Sequence, residues 1–163
     1  MDSVIKTTLD VILSIILLFN VSAATEGTEQ IKEEKELMTI IIDKLGINNK
    51  IYSKDSKLNN IDENVIIMNE SDYPDKENST VIIGAHSGVG EKAYFKDFDK
   101  LVIGDTVTLK YKNKDYTYKI TDIKKDDKDG KININYNNKS NRLILYTCYP
   151  HDKTSYMVIT SLR

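Results

Sequence analysis

The sequence predicts an all-β fold, a closed or nearly closed barrel of about eight strands with one or two short helices, and three observations lead there. From Leu37 onward, short apolar runs rich in Val, Ile, Thr and Tyr alternate with Asn, Asp, Lys and Gly clusters, the punctuation of strands and turns. Two of these runs flank a turn signal at hairpin spacing. Only one internal stretch, 91–100, clusters its apolar residues on one side in the manner of a helix. Many short strands with little helix favour closure, because a closed sheet has no unpaired edge.

Taken in order, Thr39-Ile-Ile-Ile42 reads as a strand and Lys50-Ile-Tyr52 as a second, after a turn at Gly46. Asn64-Val-Ile-Ile-Met68 and Thr80-Val-Ile-Ile-Gly-Ala85 follow; the latter is apolar on both faces, as expected of a strand through the core. Glu91 to Lys100 is the expected helix, with Ala93, Tyr94, Phe95, Phe98 and Leu101 together. Gly104-Asp105 turns the chain into Thr106-Val-Thr-Leu-Lys-Tyr111, which alternates with period two. Asn113-Lys-Asp115 is the hairpin signal, and Tyr116 to Ile123 returns antiparallel. Asp126 to Gly130 reads as a charged loop. Arg142 to Thr147 is another buried strand, ending at Cys148, and Tyr156 to Thr160 closes the series.

A chain of 163 residues accommodates one domain plus a short appendage. Hydrophobic residues at 40% and charged residues at 29% describe a globular fold. A net charge of -2 with both signs interspersed offers no basic face for nucleic acid. The run Val11-Ile-Leu-Ser-Ile-Ile-Leu-Leu-Phe-Asn-Val21, preceded by Lys6 and followed by acidic sequence, marks residues 1–24 as a signal peptide or an N-terminal membrane anchor. A span needs about 17–25 residues, and Val21-Ser-Ala23 resembles a signal-peptidase site. Residues 25–36 are a Glu- and Lys-rich linker, and 37–163 form the folded domain. The expected location is the extracytoplasmic face of the membrane, or outside the cell if the segment is cleaved.

Cys148 is the only cysteine, so it forms no disulfide within the chain. It ends a core strand just before Tyr149-Pro150, where proline turns the chain out of the ladder and sets the thiol at the rim. A nucleophilic thiol needs partial exposure and a nearby base or cation. His86, at the end of another core strand before Ser87-Gly-Val-Gly90, is one candidate partner, and His151 is the other. One cysteine and two histidines make no zinc spacing. Asp126, Asp127 and Asp129 lack the spacing of a calcium loop. No metal or organic cofactor is expected.

The domain resembles the sortases. Ile40-Ile-Ile-Asp-Lys-Leu-Gly-Ile47 with Ile51-Tyr52 is similar to the family's opening strands, with Asp43 where a proline commonly stands. Val81-Ile-Ile-Gly-Ala-His86-Ser-Gly88 resembles its histidine motif. Ala93 to Leu101, Gly104-Asp105 and Tyr116-Thr-Tyr118 resemble the helix and hairpin that follow, and Ile144-Leu-Tyr-Thr-Cys148 resembles its Thr-Leu-X-Thr-Cys motif. The resemblance implies a cysteine transpeptidase that cuts a Leu-Pro-X-Thr-Gly-like sorting motif of surface proteins. Cys148 would form a thioacyl intermediate, and His86 would protonate the leaving amine and then deprotonate an acceptor amine on a cell-wall precursor or pilin lysine. Thr147 would hold substrate or oxyanion.

The family's arginine, early in the last strand, is missing. Tyr156 or Ser155 stands there. Tyr156 is therefore a substrate-binding candidate, and its hydroxyl, Lys153 or backbone N–H groups are candidate oxyanion donors. Arg163 is the candidate arginine only if the strand bends, since seven residues on it would face away. Arg142 begins the cysteine strand, about 20 Å back at ~3.3 Å per residue. Two competing readings remain: a catalytically weak or silent sortase-like module that binds peptides, and a different cysteine hydrolase using His151.

Overall fold

The computed structural model describes residues 34–128, 139–149 and 152–163. Residues 1–24, most of the linker, His151 and the side chain of Lys153 lie outside the described residues. Among the described residues, eight strands follow one another: β1 (Glu36–Ile42), β2 (Ile47–Tyr52), β3 (Ile66–Ile67), β4 (Thr80–Gly84), β5 (Thr106–Tyr111), β6 (Lys114–Asp127), β7 (Arg142–Tyr149) and β8 (Asp152–Leu162). They form one sheet in the order β2-β1-β5-β6-β8-β7-β4-β3. An isolated parallel bridge between Ile51 and Val65 brings the two ends of that order together, so the sheet is a nearly closed barrel. Neighbouring strands run antiparallel, except that β4 and β7 are parallel.

Period-two patterning decides what faces inward. Met38, Ile40 and Ile42 of β1, Val107 and Leu109 of β5, Tyr118 and Ile120 of β6, and Leu143 and Leu145 of β7 are all buried in one core. A second, smaller cluster lies on the other face: Ile82, Ile144, Tyr146 and Val158, with Met68 and Tyr156 packed against it. β4 is buried along its whole length because Val81 and Ile83 enter the main core while Ile82 enters the second cluster. Gly84 is paired with Tyr146, and a Cβ there would meet the Tyr146 ring at 2.2 Å. Only glycine lets that ring lie across β4.

Three local expectations are corrected. The stretch 91–100 is not an α-helix but a series of turns ending in a 3₁₀ segment, Phe98–Lys100. Lys96, Phe98, Lys100 and Leu101 each donate their N–H to the carbonyl three residues back. The buried residues Phe95, Phe98 and Leu101 recur every three positions, the period of a 3₁₀ turn rather than of an α-helix. The β5–β6 hairpin turns at Lys112-Asn113, both with positive φ, so Lys114 and Asp115 already belong to β6. Two successive left-handed residues match the twist of a tight hairpin. Finally, β6 continues through Asp127, because its far half pairs with β8 down to Asp127–Ser155.

Candidate active site

The parallel pairing of β4 and β7 positions the two predicted chemical groups. Its last pair is Gly84–Tyr146, and two residues beyond it on each strand stand His86 and Cys148. Adjacent strands are about 4.8 Å apart, so His86, just past the end of β4, and Cys148, still within β7, stand at the same end of the pair. Three hydrogen bonds hold this junction. The Ala85 N–H donates to the Tyr146 carbonyl at 3.4 Å, the Thr147 hydroxyl to the Ala85 carbonyl at 2.7 Å, and the Ser87 hydroxyl to the Cys148 carbonyl at 2.6 Å. Alternation puts His86 and Cys148 on the face of Ile82, Gly84, Ile144 and Tyr146, above the second apolar cluster. Cys148 is partly exposed and unpaired.

Thr147 stands elsewhere than expected. It is 2% exposed, lies on the opposite face from Cys148, and commits its hydroxyl to Ala85. Its hydroxyl is spent on the junction between the two strands. Tyr156, by contrast, is the cross-strand partner of Cys148 and lies on the same face. Ser155 is buried and bonded to Asp152.

Arg163 is corrected as well. Its strand neighbour Leu162 pairs with Arg142, six residues along β7 from Cys148, which is about 20 Å at ~3.3 Å per residue. There the Arg163 guanidinium stacks on Tyr116 and Tyr118 and donates to the Pro74 carbonyl at 3.0 Å. The strand does not bend enough to return it.

Two residues that sequence reasoning passed over also reach the site. Asp62 accepts from His86 Nε2 at 3.2 Å, on an exposed loop. Asn60 shapes that loop by accepting the Asp62 N–H, and Lys92 pairs with Glu63 beside it. The Glu63 carboxylate holds the Lys92 ammonium above its ordinary pKa. Lys128, one residue past β6, points its ammonium at the Cys148 sulfur at 3.5 Å and over the Tyr156 ring at 5.4 Å from its centroid. By sequence it belongs to the charged stretch from Asp126 to Gly130. Strand geometry puts Lys124, Asp126 and Lys128 on one face, but the all-charged run 124–128 carries no apolar alternation from which this could be read. Beside His86 opens a cleft of about 460 Å³ lined by Gly88, Val89, Gly90, Glu91, Lys92 and Ala93. Among the described residues, no three His, Cys, Asp or Glu side chains gather as metal ligands.

A sortase-domain family model matches residues 40–162. The chain belongs to the sortase family. Sortase C of Clostridium perfringens, solved with the C-terminal cell wall sorting motif, is similar at 28% identity and a TM-score of 0.69, covering 82% of this chain and 73% of that one. Pilus-related sortase C of Group B Streptococcus is similar at 21% identity and TM-score 0.66, covering 80% and 68%. A lid mutant of Corynebacterium diphtheriae sortase A gives 16% identity and TM-score 0.70, covering 83% and 73%. At the two lower identities the likeness is one of fold. No curated protein matches the sequence significantly. Of the two positions at which the resemblance expects an arginine, Tyr156 stands across from Cys148 and Ser155 is one residue before it.

Proposed function

We propose that this sortase-family chain is a cysteine transpeptidase acting at the extracytoplasmic face of the membrane. It cleaves a C-terminal sorting motif of the Leu-Pro-X-Thr-Gly kind and passes the acyl group to an amine of the cell wall or of a pilin. The observation that carries this reading is the emergence of His86 and Cys148 from neighbouring parallel strands, locked in register by the Thr147 and Ser87 hydroxyls. A thiol and an imidazole so placed can divide one amide exchange into two acyl transfers. Sulfur attacks the Thr carbonyl carbon as its proton passes through His86 to the departing amine, and the C–N bond breaks. The acceptor amine then attacks the thioester, the C–S bond breaks, and the amine's proton passes through His86 to the sulfur, regenerating the thiol. Asp62 orients the imidazole. The sorting motif seen with the C. perfringens relative supports the same class of substrate.

The test uses the full chain in detergent with a fluorescence-quenched sorting-motif peptide and a small amine acceptor. The expected result is cleavage, transfer of the acyl group to the acceptor, and a thioacyl adduct on Cys148 by mass spectrometry, all lost in Cys148→Ala and in His86→Ala. Cleavage that survives Cys148→Ala would overturn the reading. Peptide binding without any adduct would instead identify a silent peptide-binding module. Loss in His151→Ala with retention in His86→Ala would transfer the base role to His151.

A further inference from the structure

We infer that Lys128 supplies the positive charge of this active site, donating to the oxyanion that forms when the Cys148 sulfur attacks. The inference rests on the transpeptidase reading above and concerns the group that reading leaves unassigned. The oxyanion lies only two bonds from the attacking sulfur, so a donor beside that sulfur is within reach of it. Lys128 Nζ stands 3.5 Å from Cys148 Sγ. The position is built rather than incidental. The Lys128 N–H donates to the Thr154 carbonyl at 2.7 Å, which ties the end of β6 to β8. Strand alternation then puts its side chain on the face of Tyr156 and Cys148, and its ammonium rests over the Tyr156 ring. A ring face attracts a cation, so the tyrosine in the arginine's place acts as a seat for a lysine from the next strand.

Among the described residues, two other cations of these strands are engaged elsewhere. Lys125 pairs with Asp152 at 2.7 Å and lies over Tyr149, while Arg163 is held at the far end of β7 and β8. Lys128 has no carboxylate partner among the described residues. In the acylation step the new C–S bond forms, the carbonyl π pair moves onto oxygen, and Lys128 N–H groups hold the resulting anion. The pair returns as the C–N bond breaks, with the departing nitrogen protonated from His86. Lys128 ends the step unchanged. A lysine donates as a point charge where arginine would offer a fork, so arginine at 128 should retain the function and an uncharged residue should not.

Two measurements on the full chain test this separately. The first needs no peptide: Cys148 is alkylated at one pH with anionic iodoacetate and with neutral iodoacetamide. An ammonium beside the sulfur favours the anion, and Lys128→Met is expected to lower the iodoacetate-to-iodoacetamide rate ratio about fivefold, the factor for unit charges about 4 Å apart in water. Lys128→Arg is expected to keep it. A ratio unchanged in Lys128→Met overturns the placement. The second follows peptide turnover, where Lys128→Met should lower kcat about 10²-fold with a much smaller change in KM, and Lys128→Arg should recover most of it. A wild-type kcat in Lys128→Met overturns the oxyanion role while leaving the transpeptidase reading intact. A wild-type chain that forms no thioacyl adduct overturns that reading and the oxyanion role together, and the alkylation ratio still decides the placement. Lys128 is exposed, so neither substitution disturbs the core.

Discussion

Thr147 and Cys148 are neighbours in sequence with opposite tasks, because successive residues of a strand face opposite ways. Cys148 lies on the face of Tyr156, whereas Thr147 lies on the opposite face and gives its hydrogen bond to Ala85, the residue before His86. Removing a buried bond of this kind costs about 1–3 kcal/mol. Thr147→Val should therefore lower the urea midpoint accordingly. It should also reduce kcat severalfold under conditions where the variant is fully folded, because β4 and β7 then lose register at the site. Thr147→Ser should restore both. Equal turnover in the valine variant would mean that the hydroxyl has no part in aligning the pair. Cys148 was legible as a candidate from its place before Tyr149-Pro150, and His86 from its place after an apolar run. Asp62 and Lys128 were not legible, since each reaches the site from a segment whose charged residues look like ordinary surface.

At the scale of the element, β4 and β7 meet through Gly84 and Tyr146. The Tyr146 ring is 8% exposed, lies where a side chain at 84 would stand, and donates its hydroxyl to the Met68 sulfur. Burial pushes its pKa up to about 12, against about 10 in an unfolded chain. Below pH 10 the phenol is neutral in both states and its contribution is fully present. Between about pH 10 and 12 the unfolded state loses the proton first, so this contribution declines as pH rises through the folded value, by at most about 2–3 kcal/mol. Urea titrations of wild type and Tyr146→Phe at pH 8 and at pH 11 check this. The difference between the two proteins should move in favour of the phenylalanine variant at pH 11. An unchanged difference would mean that the hydroxyl ionises as freely in the fold as out of it. The 3₁₀ turns at 93–101 teach a related lesson about patterning. Buried residues at Phe95, Phe98 and Leu101 satisfy a period of three, and in so short a stretch this is hard to tell from 3.6.

Across the whole molecule, the barrel separates two ends with different duties. His86, Cys148, Tyr156 and Lys128 occupy one end, while Arg142, Leu162 and Arg163 occupy the other. Arg163 joins the last strand to the β6 tyrosines and to Pro74. We expect Arg163→Ala to lower unfolding free energy by about 1–2 kcal/mol, the scale of a cation over aromatic rings together with one hydrogen bond. Turnover per folded molecule should stay at the wild-type value. A large fall in kcat without loss of stability would return Arg163 to the catalytic machinery.

What the sequence determined by itself was the class of fold, the order of eight strands and the two residues, Cys148 and His86, proposed to carry the chemistry. These are written in local signals: period-two burial, turn residues, and a lone cysteine and a histidine each closing an apolar run. Only the tertiary structure decided that β4 and β7 run parallel, that Thr147 turns inward, that Arg163 is remote, and that Lys128 comes to the sulfur. Those facts depend on which strands become neighbours and in what register, and hydrophobic alternation along a single strand carries no record of its partner.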